Sequence, residues 1–96
     1  MYYHGQGAPK DYAEAARWYK LAAEQGNASA QVNLGFMYDE GQGVSKSLIQ
    51  AYLWYNLSAA QGNENAIKNR KILEREMTAA QIEEAQRLST KYRPKP

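Results

Sequence analysis

The sequence predicts an all-α fold, an αα-superhelix: a solenoid of antiparallel helical hairpins. Three observations predict it. Displacing the 96-residue chain by 36 positions aligns residues 1–30 with 37–66, and 15 of those 30 pairs are identical. Ordinary composition would give about two by chance. The first two units also carry apolar residues at helical spacing on both sides of a Gly-x-Gly stop. Finally, the apolar material is largely Ala and Tyr, with few Leu, Ile, Val and Phe. That mix suits helices packed closely through small residues.

The identical pairs include Met1/Met37, Tyr2/Tyr38, Gly5/Gly41, Gly7/Gly43, Trp18/Trp54, Tyr19/Tyr55, Gly26/Gly62, Asn27/Asn63 and Ala30/Ala66. A period in this range signals a solenoid. The whole chain reads as one helical-repeat domain: a truncated first repeat over 1–26, a complete repeat over 27–62, a capping hairpin over 63–93 and a tail over 94–96.

In the first repeat, Met1–His4 match only the last turn of a first helix. Asp11 and Glu14 open its second helix, Trp18 sits on that helix's core stripe, and Gly26 ends it. In the complete repeat Asn27 is the N-cap, and Ala30, Leu34, Met37 and Tyr38 share one face. Gly41-Gln42-Gly43 stops the helix, since glycine takes the left-handed conformation that a helix end needs. Ser47 caps the next helix, with Gln50 completing a capping-box pattern. Ala51, Trp54, Tyr55 and Ser58 form its buried stripe, and Gly62 ends it. Gly35 lies inside a helix, where it costs about 1 kcal/mol relative to Ala. Close approach of the paired helix is the expected compensation, with Trp54 filling the space.

The third unit departs from the pattern. Arg70, Lys71 and Glu74 stand where Leu, Gly and Tyr would recur, and the Gly-x-Gly loop is absent. A new helix begins at Thr78, with Gln81 completing a capping box and Ile82, Ala85, Ser89 and Tyr92 along one face. Such a polar, shortened unit caps a solenoid, and Pro94 and Pro96 mark a frayed tail. At the other end Trp18 is left without a full covering helix. The expectation is that the natural chain extends upstream or that this face self-associates.

The chain has no Cys and one histidine, His4. Disulfides, thiolate nucleophiles and recognisable metal sites are therefore not expected, and neither is a Ser–His–acid triad. No cofactor is implied. Gly41-Gln42-Gly43-Val44-Ser45-Lys46-Ser47 lacks the glycine that a phosphate loop places before its lysine, and it follows a helix rather than a strand. The neighbouring carboxylates Asp39/Glu40 and Glu83/Glu84 diverge by about 100° on a helix, so they read as solvated charge rather than an acid–base pair. Asn27-Ala28-Ser29 and Asn56-Leu57-Ser58 fit the N-glycosylation triplet but fall at repeat positions. No apolar stretch reaches the roughly 20 residues that span a bilayer, and no signal-peptide layout opens the chain. As given, the chain reads as cytoplasmic, or as periplasmic or secreted if a leader has been removed. The net charge of +2 divides unevenly: four Lys/Arg against five Asp/Glu over 1–62 (−1), and eight against five over 63–96 (+3).

Ala30-x3-Leu34-Gly35-x2-Tyr38-x2-Gly41-x-Gly43-Val44, followed by Ala51-x2-Trp54 and Ala59-x2-Gly62, resembles the Sel-one-like repeat (SLR) family, a bacterial and eukaryotic relative of the tetratricopeptide repeat. The resemblance covers residues 1–66, and the segment from Met77-Thr78 onward resembles the helix that often closes such proteins. It implies an adaptor in protein complexes. Family members occur in membrane-protein quality control, envelope and exopolysaccharide regulation, and bacterial–host interaction. Some secreted members carry paired cysteines in every repeat and have been proposed to handle β-lactams; this chain lacks those cysteines.

By resemblance to tetratricopeptide units, first-helix positions would line a concave groove. Here they are Ser29, Val32, Phe36, Asp39 and Glu40, then Asn65, Lys68, Ile72 and Arg75, with Tyr3 and His4 at the truncated end. A partner peptide or helix is the expected ligand. The alternatives are weak binding of nucleic acid or anionic lipid by the basic C-terminal end, around Lys91, Arg93 and Lys95, and more remotely a hydrolase-like activity on β-lactam or cell-wall compounds.

Overall fold

The computed structural model describes residues 11–92. Gly5, Gly7, Tyr3 and His4 lie outside those residues, as do Met1 and Tyr2, Arg93 and Lys95, and the tail prolines Pro94 and Pro96. Five helices follow in order: α1 (Tyr12–Glu24), α2 (Ala28–Glu40), α3 (Leu48–Ala60), α4 (Glu64–Glu74) and α5 (Ala79–Ser89), closed by a 3₁₀ turn at Thr90–Tyr92. No strand occurs among the described residues, and the all-α hairpin architecture is the one the repeat predicts.

Each helix starts on a side-chain cap, which satisfies backbone donors that the helix itself cannot. Asp11 accepts from the Glu14 N–H (3.0 Å), Asn27 from Ala30 (2.8 Å), Ser47 from Gln50 (3.2 Å), Asn63 from Ala66 (2.9 Å) and Thr78 from Gln81 (3.1 Å). The full reciprocal box closes at Thr78, whose N–H donates back to Gln81 Oε1 at 2.9 Å. At Ser47 it is only half formed, because the Ser47 N–H is already donated to the Tyr38 carbonyl at 3.0 Å. Glu14 likewise spends its carboxylate elsewhere, accepting from the Trp18 indole at 2.9 Å.

The repeat shows in the turns. Gly26 and Gly62 take φ of +96° and +90° in matching links, where Asn27 and Asn63 donate back to the Ala22 and Ser58 carbonyls at 3.2 Å each. Gly43 serves close approach: a Cβ there would collide with the Tyr12 carbonyl group, so the loop lies directly on the start of α1.

Helix α3 occupies the centre, packing on α2, α4 and α5. Gly35 does permit close approach of α2 and α3, but Trp54 is not the residue that uses it. An added Cβ would sit 2.7 Å from Tyr55 Cδ1 and 3.2 Å from the Ala51 carbonyl oxygen. Trp54 instead points toward Ala23, Ala30 and Leu34, with the Tyr92 ring 4.8 Å away. The third unit differs from the second in packing as well as sequence. Where Gly35 lets α2 and α3 pack tightly, its counterpart is Lys71, and α4 and α5 each pack on α3 far more than on one another.

Placing a methyl at Gly35 should therefore reverse the usual helix-propensity gain. Gly35→Ala is expected to lose about 1–3 kcal/mol by overpacking against Tyr55, where propensity alone would add up to about 1 kcal/mol. Urea denaturation followed by circular dichroism reads the sign.

Candidate partner-binding groove

The groove positions fall on the first helices of successive units. On α2 they run Ser29, Val32, Phe36, Asp39 and Glu40; on α4 they run Asn65, Lys68, Ile72 and Arg75, in the same register 36 residues on. Phe36 and Ile72 occupy equivalent positions, and both are unusually open for large apolar side chains, at 42% and 50% exposure. Ser29, Glu40, Asn65, Lys68 and Arg75 are exposed as well. Two positions are less available. Val32 is half-buried against the core around Tyr52 and Tyr55. Asp39, expected to be solvated charge, is half-buried and accepts a hydrogen bond from Tyr55 Oη at 3.2 Å.

Sequence reasoning passed over Lys71, which is exposed beside Ile72. The signal was present: Lys68, Lys71, Ile72 and Arg75 fall at i, i+3, i+4 and i+7, one face of a helix. The rest of α4 is anchored from below. Arg70 donates to Asn56 Oδ1 at 2.7 Å, and Asn56 donates to Ser89 Oγ at 3.2 Å, tying α3, α4 and α5 together. Tyr52 Oη donates to Glu74 at 2.9 Å. Asn56 is therefore engaged inside the fold, and Asn27 is occupied as a cap, so both glycosylation-like triplets serve structure.

Burial pushes the Tyr55 phenol far above its ordinary value of 10.0, with the neighbouring Asp39 charge and hydrogen bond adding to the shift. Tyr52 is raised for the same first reason, helped by its bond to Glu74. Both hydroxyls are fixed as donors, which positions the carboxylates of α2 and α4 rather than activating them.

A second surface lies on α1. Trp18 is 60% exposed and Leu21 56%, whereas their repeat mates Trp54 and Leu57 are 1% and 7% exposed. Among the described residues, no cluster of three His, Cys, Asp or Glu side chains could hold a metal ion. None of the described helices is long and apolar enough to cross a membrane.

A tightly paired helical repeat with glycine-set turns defines the αα-solenoid class, and comparison with known proteins is specific about which. The Sel1 repeat family model matches residues 1–27 and 28–63. The chain belongs to the Sel1 repeat family. It is 45% identical over 38 residues to two Arabidopsis thaliana proteins, the ERAD-associated E3 ubiquitin-protein ligase components HRD3B and HRD3A, a match covering 40% of this chain and 6% of each relative. The crystal structure of a protective antigen present in uropathogenic Escherichia coli strains, which displays an SLR fold, superposes with a TM-score of 0.87 at 40% identity. That match covers 93% of this chain and 19% of the other, so the chain spans only a small part of the proteins it resembles. The Sel1-repeat fold is in general a protein–protein interaction scaffold and typically a non-catalytic one.

The raised phenols fix an alkaline limit to stability. A group whose folded value lies above its unfolded value stabilises the fold fully below the unfolded value, and the contribution is lost as pH climbs past it. Stability should fall above pH 10.0, the ordinary phenol value, by about 1.4 kcal/mol per pH unit for each tyrosine held protonated. Tyr55→Phe keeps the ring and removes the titrating hydroxyl, so its stability should decline less steeply than that of the parent. Denaturation midpoints between neutral and strongly alkaline pH test the difference.

Proposed function

We propose that this chain is an adaptor whose first-helix face, over Ser29, Val32, Phe36, Asp39, Glu40, Asn65, Lys68, Ile72 and Arg75, receives a peptide or helix of a partner protein. The observation that carries this reading is the exposure of Phe36 and Ile72 at equivalent positions of successive units. Neither is needed to close the core, since the buried clusters are assembled without them. Large apolar side chains held open on a rigid frame cost solubility and supply anchoring area. The name of the plant relatives, components of a ubiquitin-protein ligase, supports a role within an assembly.

A second reading, self-association through α1, is favoured by one observation: Trp18 and Leu21 are open where their repeat mates are buried. A second copy of the chain is the occupant this reading commits to.

Peptides selected from a random displayed library by the whole chain test the groove. Phe36→Ala and Arg75→Ala should each weaken selected peptides by about tenfold, the loss typical of an anchor residue, with unchanged helicity by circular dichroism. Indifference to both changes counts against it. Sedimentation addresses the second reading. A concentration-dependent dimer that Trp18→Ala abolishes is expected, and a species that stays monomeric at high concentration overturns it.

A further inference from the structure

We infer that the exposed face of α4 is built for an acidic peptide with an apolar anchor; this rests on the groove reading above and names the chemistry of its occupant. Lys68, Lys71, Ile72 and Arg75 stack on one helical face, and all four are exposed. On a helix surface a cation gains modestly from a carboxylate three or four residues away, and like charges at that spacing repel. This chain makes such pairs at Arg17 with Glu14 and Arg87 with Glu84, though not at Lys20, four residues before Glu24.

On α4 the pairing is withheld. Glu64 lies four residues before Lys68, and Glu76 follows Arg75, yet no ion pair joins any of the three cations to a described residue. Glu74 is turned to the Tyr52 hydroxyl. Arg70 points inward to Asn56, so its charge is not part of the stripe. What remains is three like charges in two turns of helix around a half-exposed isoleucine. Their mutual repulsion is relieved by an incoming anion, and Ile72, set between Lys68 and Arg75 on the same face, offers apolar area among the charges.

Carboxylates spaced along a peptide, flanking a Leu- or Phe-like side chain, complement that pattern. Glu40 on α2 adds direction, since it would repel an acidic segment and favour seating the acids over α4. An anionic lipid surface would be drawn to the same cations. It fits less well, because a membrane-surface helix needs a broad apolar face beneath its basic one, and α4 exposes a single large apolar residue.

The test uses the full chain and the displayed library, followed by fluorescence anisotropy with the selected peptides. The expected peptides are net acidic and each contains an apolar residue. Replacing their Asp and Glu with Asn and Gln should weaken binding by about tenfold or more, and Lys68→Gln, Lys71→Gln and Arg75→Gln by about threefold to tenfold each. Ile72→Ser should weaken it comparably, and rising salt should do so progressively. Neutral or basic peptides that depend on Phe36 but ignore the three cations overturn this inference while leaving the groove standing. Peptides indifferent to Phe36, Ile72 and the cations alike, or no selected peptides at all, sink both. Binding to mixed phosphatidylcholine–phosphatidylserine vesicles through the same three cations, without peptide competition, overturns it in favour of a membrane surface.

Discussion

Helix α3 must satisfy neighbours on three sides at once, and most of the fold follows from how it does so. Ala51, Tyr52, Leu53, Trp54, Tyr55, Leu57 and Ser58 are all buried, so its apolar surface wraps the helix instead of forming one stripe. A helix buried all round could rotate or slide with little change in apolar area. Its polar atoms remove that freedom. Tyr55 is bonded to Asp39 of α2, Ser58 Oγ donates to the Ala28 carbonyl at 2.7 Å, Tyr52 reaches Glu74 of α4, and Asn56 links Arg70 to Ser89. Apolar burial gives the packing its strength, and these bonds fix rotation and register.

The turn end of the hairpins is pinned in the same way. Gln31 is buried at 2% exposure, which would be costly without partners. Its amide donates to the Ala23 carbonyl at 3.0 Å and its oxygen accepts from Gln61 at 3.0 Å; Gln61 also reaches the Gly26 carbonyl at 2.9 Å. Successive turns are thereby joined through two side chains, and while Gln61 repeats Gln25, the counterpart of Gln31 differs. Gln31 corresponds to Ile67, so this joint belongs to one repeat boundary and is not copied at the next.

Features carried by backbone conformation were legible in the sequence. The five helices, their capping residues and the glycine turns follow from residue types with few conformational options. Contacts were less legible where they depend on which way a helix is rotated. Trp54 and Tyr55 are adjacent, about 100° apart on the helix, and treating them as one stripe assigned Gly35 to the wrong ring. Tyr92 against Trp54 was beyond the repeat's reach, because the segment after Ser89 has no counterpart in the other units. Among the candidate groove positions, register makes Phe36 and Ile72 equivalent, but it cannot show that Asp39 is bound to Tyr55 from the neighbouring helix. Lys71 stands at the position of a structural glycine, so the repeat pattern marks it as a departure and does not reveal its place on the exposed face.

That replacement also shapes the surface of α4. With lysine in place of the close-approach glycine, α4 cannot repeat the intimate packing of α2 on α3, and both α4 and α5 rest on α3 instead. Side chains on the outer face of α4 then carry little of the core, since among its residues only Ala66 and Leu73 are buried. Charges can accumulate on that face without disturbing the buried clusters. The same register holds Val32 on α2 and Lys68 on α4, Asp39 on α2 and Arg75 at the C-cap of α4. A single repeat register thus carries two chemically different strips, one on α2 and one on α4. The core tolerates this because Phe36, Lys68, Ile72 and Arg75 stay exposed, whereas Val32 and Asp39 of the same face are engaged with Tyr52 and Tyr55 of α3.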